Sequence, residues 1–156
     1  MTIFTRGQIV KWALQSVTVK SAFQYEEIRP LPLTWPPNLT KTDCSFFVKL
    51  VYYRAGAPDP MGLNYDGYGN SVTLFERGRH ILLKQAKHGD VIVFGPSGSV
   101  HAVIIVQSGP DPLCASMGKP GDPNLVRMSE CLSLGQPTFL RFPTINRRFV
   151  PKRKRP

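Results

Sequence analysis

The hydrophobic period of this chain changes about halfway along it. In residues 6–28, Ile9, Trp12, Ala13 and Val17 recur at three- and four-residue steps, which predicts a helix. The β-branched run Val17-Thr18-Val19 predicts its end or a kink, leaving Phe23, Tyr25 and Ile28 to pack beyond it. Residues 29–40 (R-P-L-P-L-T-W-P-P-N-L-T) hold four prolines, which exclude a helix and predict an extended surface loop. Residues 42–58 (T-D-C-S-F-F-V-K-L-V-Y-Y-R-A-G-A-P) predict a second helix with both ends marked. Thr42 or Asp43 can cap its start, Gly56 suits a left-handed residue past its end, and Pro58 cannot continue it. Cys44, Phe47, Val48, Val51 and Ala55 share one face and Phe46, Leu50 and Tyr53 another, as in a helix buried at the centre of a domain.

Residues 59–70, rich in glycine, asparagine and tyrosine, predict a loop bordering a cleft, and 73–83 a short helix broken at Gly78. Beyond residue 90 the pattern becomes strand-like at 90–94, 100–107 and 113–117, separated by G-P-S-G-S and S-G-P-D-P turns. Weaker strand signals follow at 125–128 and 138–142. In 100–107 both faces are apolar, which predicts a central strand covered on both sides. Helices first and antiparallel strands second make an α+β chain.

Composition narrows the functional classes. With 156 residues, 42% of them hydrophobic, one compact domain is expected. We place it at residues 1–142, followed by a flexible basic tail at 143–156. Of the net charge of +10, seven basic residues lie at positions 141–156, and +10 less these seven leaves +3 for the rest. Such a tail suits a polyanion, whether nucleic acid, anionic lipid or an anionic cell wall. Specific nucleic-acid binding is not expected, because the body lacks a basic surface interleaved with aromatics. No apolar run reaches the roughly 18 residues of a membrane span. The N-terminus lacks a charged leader before an apolar segment, so synthesis in a cytoplasm without a signal peptide is expected. Cys44, Cys114 and Cys131 have no C-x-x-C spacing, and His80, His88 and His101 add no paired ligands. Neither a metal nor a cofactor is expected.

Two residues suggest chemistry. Cys44 falls at the first helical position, where the helix dipole favours thiolate over thiol. His101 opens the strongest strand, sharing a face with Val103 and Ile105. If the helix packs on the sheet, His101 can face Cys44 as a thiolate–imidazolium pair, the arrangement a cysteine nucleophile needs.

The segments D43-C44-S45, the helix ending in A-G, K-H-G-D-V-I-V-F at 87–94 and H101-A-V-I-I-V resemble the NlpC-type cell-wall cysteine peptidases. The likeness runs over residues 6–130. The segments Q24-Y-E-E-I-R-P-L-P and A57-P-D-P-M-G-L-N-Y-D-G-Y-G resemble most the peptidase domains of endolysins or tail-associated lysins from phages of actinobacteria. This resemblance implies a papain-like fold, with N-terminal helices on an antiparallel sheet, and cleavage of peptidoglycan stem peptides next to γ-D-glutamate. It implies Cys44 as nucleophile and His101 as general base. The Cys44 N–H and the Tyr25 hydroxyl would stabilise the oxyanion, and Asp43 and Ser45 would meet the amino end of the stem peptide. It also implies action on the wall after release from the host, or carriage in a virion beside other virion proteins. The basic tail would favour the anionic envelope. Two positions depart from the pattern. Phe46 stands where the family has glycine, adding bulk beside the cleft. Met117 stands where S-H-G supplies the third catalytic histidine, and Ser116 points to the opposite face if the strand is regular, which makes it no obvious substitute. Either a water, a backbone carbonyl or Gln107 then orients His101, or activity is reduced or lost. A degenerate relative, serving as a structural virion or wall-binding protein, is the alternative.

Overall fold

The computed structural model describes residues 2–3, 6–118, 121–142 and 148–149, the first and last pairs as backbone alone. Strand β1 (Thr2–Ile3) pairs antiparallel with the last strand, β10 (Arg148–Phe149). The rest of the basic tail lies outside the described residues. Helix α1 (Arg6–Thr18) ends within the β-branched run, and a short turn leads into β2 (Phe23–Tyr25). The proline-rich loop returns the chain to β3 (Thr40–Thr42), which runs parallel to β2.

Helix α2 (Cys44–Arg54) follows at once. Asp43 is its cap, its carboxylate accepting from the Phe46 N–H at 2.9 Å. At the other end Gly56 takes φ +79°, and the N–H groups of Gly56 and Ala57 reach the carbonyls of Tyr53 and Tyr52 at 3.0 and 2.9 Å. That pairing satisfies carbonyls the last turn would leave open, and it requires the left-handed glycine. Residues 45–52 of the helix are all buried. They include Lys49, whose ammonium lies 3.2 Å from Asp59 and 2.8 Å from the Tyr68 carbonyl. This buried pair pins the glycine-rich loop to the helix.

Helix α3 (Ser71–Arg77) stops at Gly78, and β4 (Arg79–Ile81) takes the place of the helical continuation expected to residue 83. Its three residues pair with β9 at a sheet edge, so long-range hydrogen bonds override a weak local pattern. Strands β5 (Val91–Phe94), β6 (His101–Gln107), β7 (Leu113–Met117), β8 (Pro123–Arg127) and β9 (Pro137–Arg141) complete an antiparallel sheet of order β4-β9-β5-β6-β7-β8. On one face Val91, Val93, Ala102, Ile104, Ala115 and Met117 pack with Ile9 and Ala13 of α1 and Phe47, Val48 and Val51 of α2. On the other, Ile92, Phe94, Val103, Ile105 and Cys114 are covered by Met128 and Cys131 from the short helix Met128–Leu134. The central, doubly covered β6 agrees with its apolar faces.

Candidate active site

The N-terminus of α2 and the first residue of β6 meet at one end of the sheet. Cys44 and His101 line a common cavity of about 440 Å³, together with Tyr25, Glu27, Ser116, Met117 and Gly118. Val100, Cys131 and Leu134 also line it. Cys44 is partly exposed, whereas Cys114 and Cys131 are buried; all three are free thiols.

The resting charge state differs from the expected ion pair. Burial first, and the Asp43 carboxylate second, push the Cys44 thiol up to about 11. The backbone N–H groups of Ala102, Ser45 and Cys44 itself act the other way and are outweighed. Burial also lowers His101 from its ordinary value, leaving a neutral ring at neutral pH. The helix dipole that argued for a thiolate acts over the first turn only and loses to desolvation. Resting Cys44 is a thiol and His101 a neutral imidazole.

His101 makes its hydrogen bond elsewhere. Its Nε2 lies 2.8 Å from the Ser116 hydroxyl, and its ring packs at 6.2 Å on Phe94. The expectation that Ser116 faces away from His101 is therefore corrected. In β6, His101 alternates with Ala102, whose side chain joins the helix-side core. In β7, Met117 joins that same core and Ser116 turns to the opposite face with Cys114. Met117 is fully buried and offers His101 no hydrogen bond. Gln107, exposed at the other end of β6, is too remote to serve. Met117→His should therefore not raise the reactivity of Cys44. It should lower stability by about 2 kcal/mol, since an imidazole replaces a thioether in an apolar core. Thermal melts together with iodoacetamide labelling check both halves.

Asp43 and Ser45 are not among the residues lining the cavity, contrary to the substrate contacts expected of them. Arg29 occupies both. Its guanidinium lies 2.9 Å from one Asp43 oxygen, 3.1 Å from the other and 3.3 Å from the Ser45 hydroxyl. The same side chain donates to the carbonyls of Gly69 and Glu27, at 2.9 and 3.0 Å, and sits over Phe46. Phe46 itself is buried with Leu31 and Leu50, so its bulk fills the core under the proline-rich loop and not the cleft. The sequence reading missed Arg29, whose role depends on a loop folding back across 14 residues. Tyr25 lines the cavity, its hydroxyl donating to Glu27 at 2.7 Å. Burial and that carboxylate raise its pKa, so the phenol stays protonated, with its one proton engaged by Glu27.

No protein-family model and no curated protein matches the chain. Solved structures do. The peptidoglycan hydrolase RipB from Mycobacterium tuberculosis superposes with a TM-score of 0.59 and 21% identity, over 92% of this chain and 67% of that one. The NlpC/p60 domain of the peptidoglycan hydrolase SagA gives 0.57 and 20%, over 88% and 99%. RipD from M. tuberculosis, described as a non-catalytic NlpC/p60 domain protein adapted to peptidoglycan binding, gives 0.51 and 20%, over 86% and 97%. The chain has the papain-like α+β fold of NlpC/p60 domains.

Proposed function

We propose that this protein is a peptidoglycan hydrolase, a cysteine endopeptidase cutting stem peptides next to γ-D-glutamate, of the kind phages use as lysins. The observation that carries this reading is the shared cavity, with Cys44 at a helix start and His101 at a strand start. The fold it shares with peptidoglycan hydrolase domains supports the substrate class.

As Cys44 Sγ attacks the amide carbonyl carbon, the S–H proton passes to His101 and the S–C bond forms. The resulting oxyanion is met by the Cys44 N–H and by the Tyr25 hydroxyl, which turns from Glu27 to donate to it. Collapse breaks the C–N bond, and the amine leaves with the proton from His101. Water, deprotonated by the same ring, then hydrolyses the thioester. With both groups neutral at rest, proton transfer accompanies attack and does not precede it.

A second reading is a wall-peptide binder without turnover. The raised Cys44 thiol favours it, as does the likeness to RipD. Mass spectrometry of purified peptidoglycan fragments after incubation separates the two. New termini, absent with Cys44→Ala, support hydrolysis and name the bond; intact fragments that co-purify with the protein support binding.

The tail at 143–156 serves attachment to the anionic envelope in this proposal. Removing residues 151–156 should leave the melting temperature within about 1 °C while weakening adsorption to isolated walls, because a K-R-K-R run buries little apolar surface. Adsorption of the intact protein should itself fall with added salt. A large drop in melting temperature would instead mean that the segment is docked.

A further inference from the structure

We propose that Ser116 is the positioning residue for His101, holding ring nitrogen Nε2 so that Nδ1 is the nitrogen that accepts the Cys44 proton. The inference rests on the hydrolase reading for its consequence in catalysis, but its geometry stands independently. Ser116 Oγ lies 2.8 Å from Nε2, and both side chains are nearly buried, at 8 and 9% exposure. Among the described residues this is the only hydrogen bond either side chain makes. Phe94 supports the ring at a tilt of 31°. One ring nitrogen is thus engaged by Ser116, and the ring lines the cavity that Cys44 also lines.

The chemistry of a hydroxyl fits this task with one qualification of its own. When Nε2 carries the proton, it donates to Ser116 Oγ and Nδ1 presents a lone pair to the thiol. Once Nδ1 takes the proton from Sγ, the imidazolium keeps the same Nε2–H···Oγ bond, now charge-assisted and stronger. Ser116 therefore favours the ring form that exists during attack. A hydroxyl can also turn and donate to a bare Nε2, which leaves Nδ1 protonated and useless as a base. A carboxylate at this position would forbid that second state; serine allows it. Part of the resting population is then unproductive, and the ring balance is set by this one contact.

The test compares wild type, Ser116→Ala and Ser116→Thr in the full chain. Long-range proton–nitrogen correlation spectra report the His101 tautomer, and kcat on wall fragments reports proton acceptance from Cys44. Ser116→Ala should shift the tautomer ratio and lower kcat about fivefold, the size of one neutral hydrogen bond. KM should change little, since Ser116 acts through the ring. The threonine variant keeps the hydroxyl and should restore both tautomer ratio and kcat. An unchanged ring spectrum in Ser116→Ala, or a threonine variant that behaves like alanine, overturns the proposal. If wild type cuts no wall fragment, the hydrolase reading fails, while the spectra still decide the role of Ser116.

Discussion

Labelling of Cys44 by iodoacetamide should accelerate about tenfold for each pH unit between pH 7 and 10, with no plateau near pH 6. The thiolate is the reactive form, and a thiol held near 11 is ionised only to about one part in ten thousand at pH 7. Below that value, each unit's rise in pH multiplies the thiolate tenfold. Three local influences favour ionisation, the N–H groups of Ala102, Ser45 and Cys44, but burial and the Asp43 carboxylate outweigh them. His101 does not reverse the balance at rest, because burial holds its ring neutral and its Nε2 is turned to Ser116. Cys44 should still label before Cys114, which is buried and pushed up to about 12. That selectivity reflects access more than ionisation. A labelling rate that is flat from pH 6 upward would mean a preformed thiolate–imidazolium pair and would sink this account. Hydrolysis should not share this alkaline rise, because the amine leaves with the proton that Sγ passes to His101, and a thiolate formed beforehand has none to pass.

The α2 helix could be read from sequence because its signals agreed: a capping Asp43, apolar residues on nearly every side, and Gly56 before Pro58. Cys44 and His101 were visible for a related reason, since each marks the end of a strongly patterned element. Ser116 was not. Which of two adjacent residues in β7 faces His101 depends on register, and register here follows a bulge between Ile105 and Gln107 and the loop after it. Neither leaves a mark in the hydrophobic pattern. The two short parallel strands β2 and β3 were equally silent, since three residues each carry no period. Charge was the least readable property. Asp43 and Ser45 look like substrate contacts in a motif, but Arg29 reaches them across a folded loop. The dipole argument for Cys44 was sound in sign, yet the deciding quantity was its burial, which only tertiary structure fixes.

The K-H-G-D segment, which the sequence offered only as part of a resemblance, should prove to be a stability element remote from the chemistry. Asp90 is fully buried and takes Arg6 of α1 at 2.8 Å and Arg141 of β9 at 2.9 Å. It also accepts the Lys87 N–H at 2.9 Å, and the adjoining Gly89 carbonyl accepts from the Tyr52 hydroxyl of α2 at 2.7 Å. Three elements, α1, α2 and β9, are tied at this one turn. Asp90→Asn keeps the size and the Lys87 contact but removes the charge that balances two half-buried guanidinium groups. Breaking a buried pair from one side costs about 3 kcal/mol or more, because the partner is left uncompensated. For a domain of this size that is a fall of about 8 °C in melting temperature. The loss should persist in high salt, which screens exposed pairs far more than buried ones. A drop below about 1 kcal/mol, or one abolished by salt, would mean the cluster behaves as a surface ion pair. Labelling of Cys44 per folded molecule should stay at the wild-type rate. Asp90 binds at the Ile105 end of the β5–β6 ladder and His101 opens the other end, four residues or about 13 Å away along the strand. A changed labelling rate at full folding would instead tie the turn to the site through the length of β6.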